Sequence, residues 1–308
     1  MDSVDNTTAM VKANFESWFI IMNITIIFFL ILAILIAIIF LLIVAFNKTC
    51  HTVPIMLTTN SCLAEIVYGS ITLSLAVFTL QNDTKQLAYQ DALCNFRGYL
   101  AFVGTAIYLY SFTLQAIYRY ISVVHTAHIS WQSARVQSVL IVISWILAIL
   151  LFLPWLFTGA ITYSVDDQVC FVIAHLSVPV IYNMFFVYLI PVSIIVLIYI
   201  KLVKYVREMS IRATSTQTMF QARRDLVVVR RIIIIIMILL TLGFPYVIFI
   251  LISFVTKPPK YHLRAAIFLV DLSQILIMIA VFKFCQPVMD VILKYKRMVS
   301  SRVQPTMT

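Results

Sequence analysis

Residues 18–46 read WFIIMNITIIFFLILAILIAIIFLLIVAF, an apolar stretch without one charged side chain. A bilayer's hydrocarbon core is about 30 Å thick and a helix rises about 1.5 Å per residue, so about 20 such residues cross it. Trp18–Phe46 is therefore long enough to span. Six further runs follow, at Val53–Leu80, Leu93–Val124, Val136–Gly159, Leu176–Tyr205, Leu226–Val255 and Leu263–Leu293. The chain reads as an all-α membrane protein, a bundle of seven transmembrane helices.

The composition agrees. Of 308 residues, 63% are hydrophobic and 11% charged, against a soluble average of about 25% charged. Residues 1–17 are polar and lack the basic segment and cleavage site of a signal peptide, so the first run is expected to be an uncleaved anchor. The expected organisation is an external N-terminus at 1–17, a bundle at 18–293 and a cytoplasmic helix and tail at 294–308.

Basic residues flanking short loops stay in the cytoplasm. With the N-terminus outside, only Lys12, Lys85, Arg97, Lys257, Lys260 and Arg264 fall on the outer side, Lys283 falls within the seventh run, and every other Lys and Arg falls inside. This asymmetry orients the chain as a multi-pass plasma-membrane protein, N-terminus extracellular, with anionic membrane lipids against its basic inner face. Under this topology the glycosylation sequons at Asn6 and Asn82 are external, whereas those at Asn23 and Asn47 are not. Of the five cysteines, only Cys94 and Cys170 share an exposed position in an oxidising compartment, so they are the expected disulfide.

Several landmarks now resemble one family. Cys94 and Arg119 stand 25 positions apart at the two ends of the third run, and Arg119 lies in Tyr118-Arg119-Tyr120. Asn60 and Glu65 mark the second run, Trp145 the fourth, Pro191 and Tyr199 the fifth, Phe244-Pro245 the sixth and Gln286-Pro287 the seventh. In type, order and spacing these are similar to the rhodopsin-like (class A) G-protein-coupled receptors, from the first run to the last basic helix. The resemblance implies a receptor that couples an extracellular peptide or small-molecule ligand to a heterotrimeric G protein.

The departures are specific. Ala37 stands where the family has a first-helix Asn, Tyr118 where it has Asp, Gly243 where it has Trp, and Asp290 where it has the Tyr of the seventh-helix motif. By the resemblance, Arg119 meets the G protein once the sixth helix swings out, with Tyr118, Tyr120, Tyr199, Pro245, Pro287 and Asp290 in the same coupling machinery. Asp225 takes the place from which an acid ties the sixth helix to Arg119, and an Arg119–Asp225 contact is expected in the inactive state. The plainer readings are a snorkelling Arg119 and a solvated Asp225.

Charges inside a span are costly and usually meet a partner or water. Relatives hold sodium with an acid at the position of Glu65. Here Tyr108 takes the matching third-helix position, and Lys283 takes a seventh-helix position that faces the acid. The expectation is a buried Glu65–Lys283 ion pair, the alternative a Lys283 that snorkels or meets water. The opsin lysine falls on Ala280, which argues against retinal.

Amine receptors of the family carry an acid at the position of Ala101, so a protonated amine would lose its usual counter-ion. Ala101, Phe102, Thr105, Asn183, Tyr246, Phe249 and Gln274 are the candidates to line a ligand cavity, although bundle aromatics more often only pack. The outer acids Asp83, Asp91, Asp166 and Asp167 face Lys257, Lys260 and Arg264.

After Pro287, residues 291–299 mix apolar and basic positions as an interfacial amphipathic helix does. No cysteine follows Cys285 to anchor it with palmitate. No cluster has catalytic or metal-ligand spacing, so neither enzyme chemistry, a metal nor a cofactor is expected. The net charge of +10 needs no nucleic acid, being explained by topology. A transporter or channel would require a polar path or internal repeat, and the intramembrane charges are read as two, Glu65 and Lys283. A bundle that binds ligand without signalling is the third reading, drawn from the altered motifs.

Overall fold

The computed structural model describes residues 11–12, 16–125, 129–172, 177–212, 234–235, 237–241, 243–252, 255–256 and 261–303. In a bilayer each backbone polar group must be satisfied within the protein, and a helix does so along its own length. The described chain accordingly forms α1 (Trp18–Phe46), α2 (Val53–Lys85), α3 (Cys94–Val124), α4 (Ala134–Thr158) and α5, which runs through Val178–Asn183, Met184–Leu189 and Ile190–Arg212. Then come α6 (Met237–Ile252), α7 (His262–Phe284) and α8 (Gln286–Val303). Among the described residues there are also two short ribbons: β1 (Val11–Lys12) pairs with β2 (Leu87–Ala88), and β3 (Thr162–Ser164) with β4 (Val169–Phe171), both antiparallel.

Helix ends follow local chemistry. Pro54 sits in the first turn of α2, where its missing N–H has no helical partner to lose. The Ser133 side chain accepts from the Val136 N–H to cap α4, which ends at Gly159 with φ 68°. Met184–Leu189 is a π-helical segment, and the Tyr110 hydroxyl donates to its Phe186 carbonyl at 3.0 Å. Such bulges recur at functional sites.

The seventh run does not stay one helix to Leu293. α7 stops at Phe284, and α8 begins at Gln286 with Pro287 in its first turn. Proline suits that position, and it lacks the N–H that would continue α7 by bonding the carbonyl of Lys283 four residues back. The amphipathic helix thus starts earlier than residue 291, with Val288 buried and Val291 and Ile292 half-buried against the core, while Asp290, Lys294 and Arg297 are exposed. It packs on α1 and the helical turn Lys48–Cys50.

α3 is the hub, packed against α2, α4 and α5, while α1 packs against α2 and α7. Ala33 and Ala37 are fully buried and small, letting α1 approach its neighbours as small residues do in membrane bundles. Ala37 in place of a polar residue therefore serves packing. Trp145 donates its indole N–H to Asn60 Oδ1 at 3.0 Å, tying α4 to α2. Cys94 and Cys170 are disulfide-bonded, fixing β4 to the top of α3. A Cβ on Gly98 would lie 2.6 Å from the Cys170 carbonyl oxygen, so the hairpin sits this close only because that residue is glycine. On α1 and α4, exposed side chains such as Ile21, Phe28, Leu35, Val139 and Leu150 present the apolar face a lipid environment requires.

Candidate functional site

Beneath the β3–β4 hairpin, α2, α3, α5, α6 and α7 line a cavity of about 150 Å³. Phe171 of β4 lines it too, its ring 4.5 Å from that of Phe102. Ala101, Phe102, Thr105, Asn183, Tyr246 and Gln274 line the cavity. Phe249 lies instead on a smaller adjoining cleft, with its ring 5.8 Å from that of His262.

Among the lining residues that the sequence does not single out, Asp271, Tyr188 and Tyr68 stand out. Asp271 of α7 is 2% exposed, and Gln274 Nε2 donates to its Oδ1 at 2.8 Å. Its Oδ2 has no hydrogen-bond partner. Tyr188 of α5 reaches towards α6, where a Cβ on Gly243 would lie 3.1 Å from its ring. The tyrosine thus fills space that a Trp at 243 would claim. Tyr68 of α2 stacks at 5.7 Å on Tyr108 of α3. Within the cavity lining, Asp271 Oδ2, Gln274 Oε1, Asn183 Oδ1 and the Tyr188 hydroxyl have no hydrogen-bond partner.

The intramembrane charges are not limited to Glu65 and Lys283, since Asp271 lies within the seventh run as well. The test that singled out Glu65, an acid in an otherwise apolar run, applies equally to Asp271 and would have found it.

The Glu65–Lys283 pair is not formed. Glu65 is fully buried, and its neighbours are the Tyr108 hydroxyl, Tyr68 and Asp271. Lys283 is exposed. The reason is helical phase. Asp271, Gln274, Met278 and Val281 recur every three or four positions and face inward, so a residue two beyond Val281 points away. Lys283 stands in the last turn of α7, where a cation complements the helix dipole.

Outside the cavity, Arg264 and Asp83, expected among the outer-loop charges, are buried together. Arg264 donates from Nη1 to Asp83 Oδ2 at 2.7 Å and from Nη2 to Oδ1 at 3.0 Å. Asn23 donates to the same Oδ2 at 2.6 Å, and the guanidinium lies 4.1 Å from the centre of the Phe19 ring. Arg97 pairs with Asp91 at 2.9 Å. In the hairpin turn, burial pushes the Asp167 carboxyl above the ordinary aspartate range, with His262 and Arg264 acting in the opposite direction.

Asn82 is not available for a glycan in the folded chain. It is 4% exposed and donates its side-chain nitrogen to the Tyr89 carbonyl at 3.0 Å. Asn6 lies outside the described residues, as does Asp225, so the expected Arg119–Asp225 contact falls there too. At the opposite end of the bundle from the disulfide, Arg119 is half-buried, Tyr118 and Tyr199 are buried, and the Arg119 charge acts on the Tyr199 hydroxyl. The ring of Tyr120 contacts that of His125 edge-on at 5.5 Å. Pro245 lies within α6, one residue before the cavity-lining Tyr246. Pro287 and Asp290, expected in the seventh span, stand instead on α8.

The described helices thus form a membrane bundle with a disulfide-held hairpin at one end, a cavity beneath it and an arginine at the far end of α3. A family profile described as "7 transmembrane receptor (rhodopsin family)" matches residues 36–286. The chain belongs to this family of G-protein-coupled receptors, and it is a receptor and not an enzyme. No curated protein matches it.

Proposed function

We propose that this receptor responds to a small molecule held in the cavity beneath the β3–β4 hairpin and passes the event to a heterotrimeric G protein through Arg119. The observation that carries this reading is the cavity's wall. α6 contributes Gly243 and Tyr246, so a ligand touches the helix on either side of Pro245. A ligand shifts a two-state equilibrium only through differential contact with the two states. Contact on α6 gives that difference to the helix whose outward movement opens the Arg119 end in the family. A cavity volume of about 150 Å³ favours a small molecule over the body of a peptide.

In this reading residues 1–17 are extracellular, 18–293 hold the bundle, 294–308 are cytoplasmic, and the receptor works at the plasma membrane with Asn6 as the candidate glycan site. The Cys94–Cys170 disulfide supports this sidedness, because disulfides persist in oxidising compartments. The α8 face bearing Lys294 and Arg297 suits anionic lipid headgroups. Asp225 serves as the restraint on Arg119, replacing the acid absent at Tyr118. A screen of small metabolites in cells carrying promiscuous G proteins tests the reading: a response lost in Arg119→Ala supports it, and a response that survives contradicts it.

A further inference from the structure

We infer that the ligand is a small organic cation, a protonated amine or amidine attached to an apolar body, and that Asp271 of α7 is its counter-ion. This rests on the receptor reading above and names the ligand class of that cavity.

Asp271 lines the cavity, is 2% exposed, and has one carboxylate oxygen engaged by Gln274 and the other without a partner. An uncompensated acid within a span is costly, and the usual remedy is an opposite charge. The protein supplies none here. Among the described residues, the ion pairs are Arg97–Asp91 and Arg264–Asp83. Both guanidinium ends of Arg264 are committed to Asp83, and Lys283 is exposed.

Glu65 is buried, close enough to interact with Asp271, and without an ion-pair partner among the described residues. Neighbouring buried carboxylates disfavour each other's charged form, and a cation placed beside them relieves that repulsion whereas an anionic ligand adds to it. The remaining surface fits the rest of such a molecule. Gln274 Oε1 and Asn183 Oδ1 are further unmatched acceptors for N–H donors, and Phe102, Tyr108 and Tyr246 offer aromatic faces that attract cations and pack apolar groups. Ala101 thus does not remove the counter-ion from this receptor. The counter-ion stands on α7 instead of α3.

The test uses the purified full-length receptor in lipid nanodiscs and reads thermal stabilisation, which requires no G protein. The probes are 2-phenylethylamine, tyramine and benzamidine, with 2-phenylethanol and phenylacetate as neutral and anionic counterparts. The inference predicts stabilisation by at least one cation, little or none by 2-phenylethanol and phenylacetate, and roughly 30-fold or greater loss of apparent affinity in Asp271→Asn. Asp271→Glu should keep part of the affinity. Comparing the probes on the wild type needs no variant, so a poorly folding Asp271→Asn leaves the test intact.

Equal stabilisation by 2-phenylethanol, no stabilisation by any cation, or cation binding undiminished in Asp271→Asn would overturn the inference. Stabilisation by sodium chloride but not potassium chloride, with no response to amines, would mark an inorganic-ion site and overturn it too. Failure of the receptor reading shows separately, as cation binding without nucleotide exchange on added G protein.

Discussion

Arg264 and Asp83 form a two-pronged salt bridge, at 2.7 and 3.0 Å, between side chains that are 3% and 0% exposed. It fastens the start of α7 to the end of α2. Asn23 and Phe19 add α1 to the same latch. Removing one partner of a buried pair strands the other charge, at a cost of about 3–5 kcal/mol, whereas replacing both is often tolerated. Arg264→Met and Asp83→Leu should each lower the melting temperature and surface expression, and the double variant should recover much of the loss. Additive losses in a thermal unfolding cycle would count against the latch.

Gly243 and Tyr188 divide one space between them. A Cβ at 243 would meet the Tyr188 ring at 3.1 Å, and overpacking of this kind costs about 1–3 kcal/mol. Gly243→Trp should therefore be poorly expressed, and adding Tyr188→Ala should restore expression because the ring that blocks the indole is gone. An equally defective double variant, measured by fluorescence-detected size exclusion, would show that the two side chains do not compete.

The hairpin over the cavity depends on its covalent tether. Losing a native disulfide typically costs about 2–5 kcal/mol, so Cys94→Ser and Cys170→Ser should each destabilise the receptor and weaken ligand binding. Gly98→Ala should have a similar effect on binding with the disulfide intact, because its Cβ would collide with the Cys170 carbonyl. Binding unaffected in Gly98→Ala would argue against close seating of the hairpin.

Asp225→Ala should raise ligand-independent signalling, since no acid at 118 remains to restrain Arg119. A basal level equal to that of the wild type in a second-messenger assay would remove Asp225 from the account.

Much of the fold can be read from the chain because hydrocarbon imposes a single rule, and the helices α1 to α4 lie within a few residues of the apolar runs that predict them. The seventh run misleads because hydropathy is blind to a break at Cys285, and only the proline at 287 gives it away. The same blindness moved Lys283. Counting back from Pro287 treats α7 as continuous, whereas its inward face is set by Asp271, Gln274, Met278 and Val281. Phe102 and Tyr246 were legible as cavity residues because bundle position alone places them. Tyr188 was not, since its direction depends on the π-helical segment and on the absent side chain at 243. The Arg264–Asp83 pair joins residues 181 positions apart, and no spacing rule reaches that far.

The central claim is that the bundle is a working receptor whose cavity communicates with Arg119. Its most direct measurement is nucleotide exchange on heterotrimeric G proteins by the purified receptor, with and without a compound shown to bind the cavity. The account predicts ligand-stimulated exchange in the wild type, and binding without exchange in Arg119→Ala. Binding that never stimulates exchange across the G-protein classes, or stimulation that persists in Arg119→Ala, would contradict it.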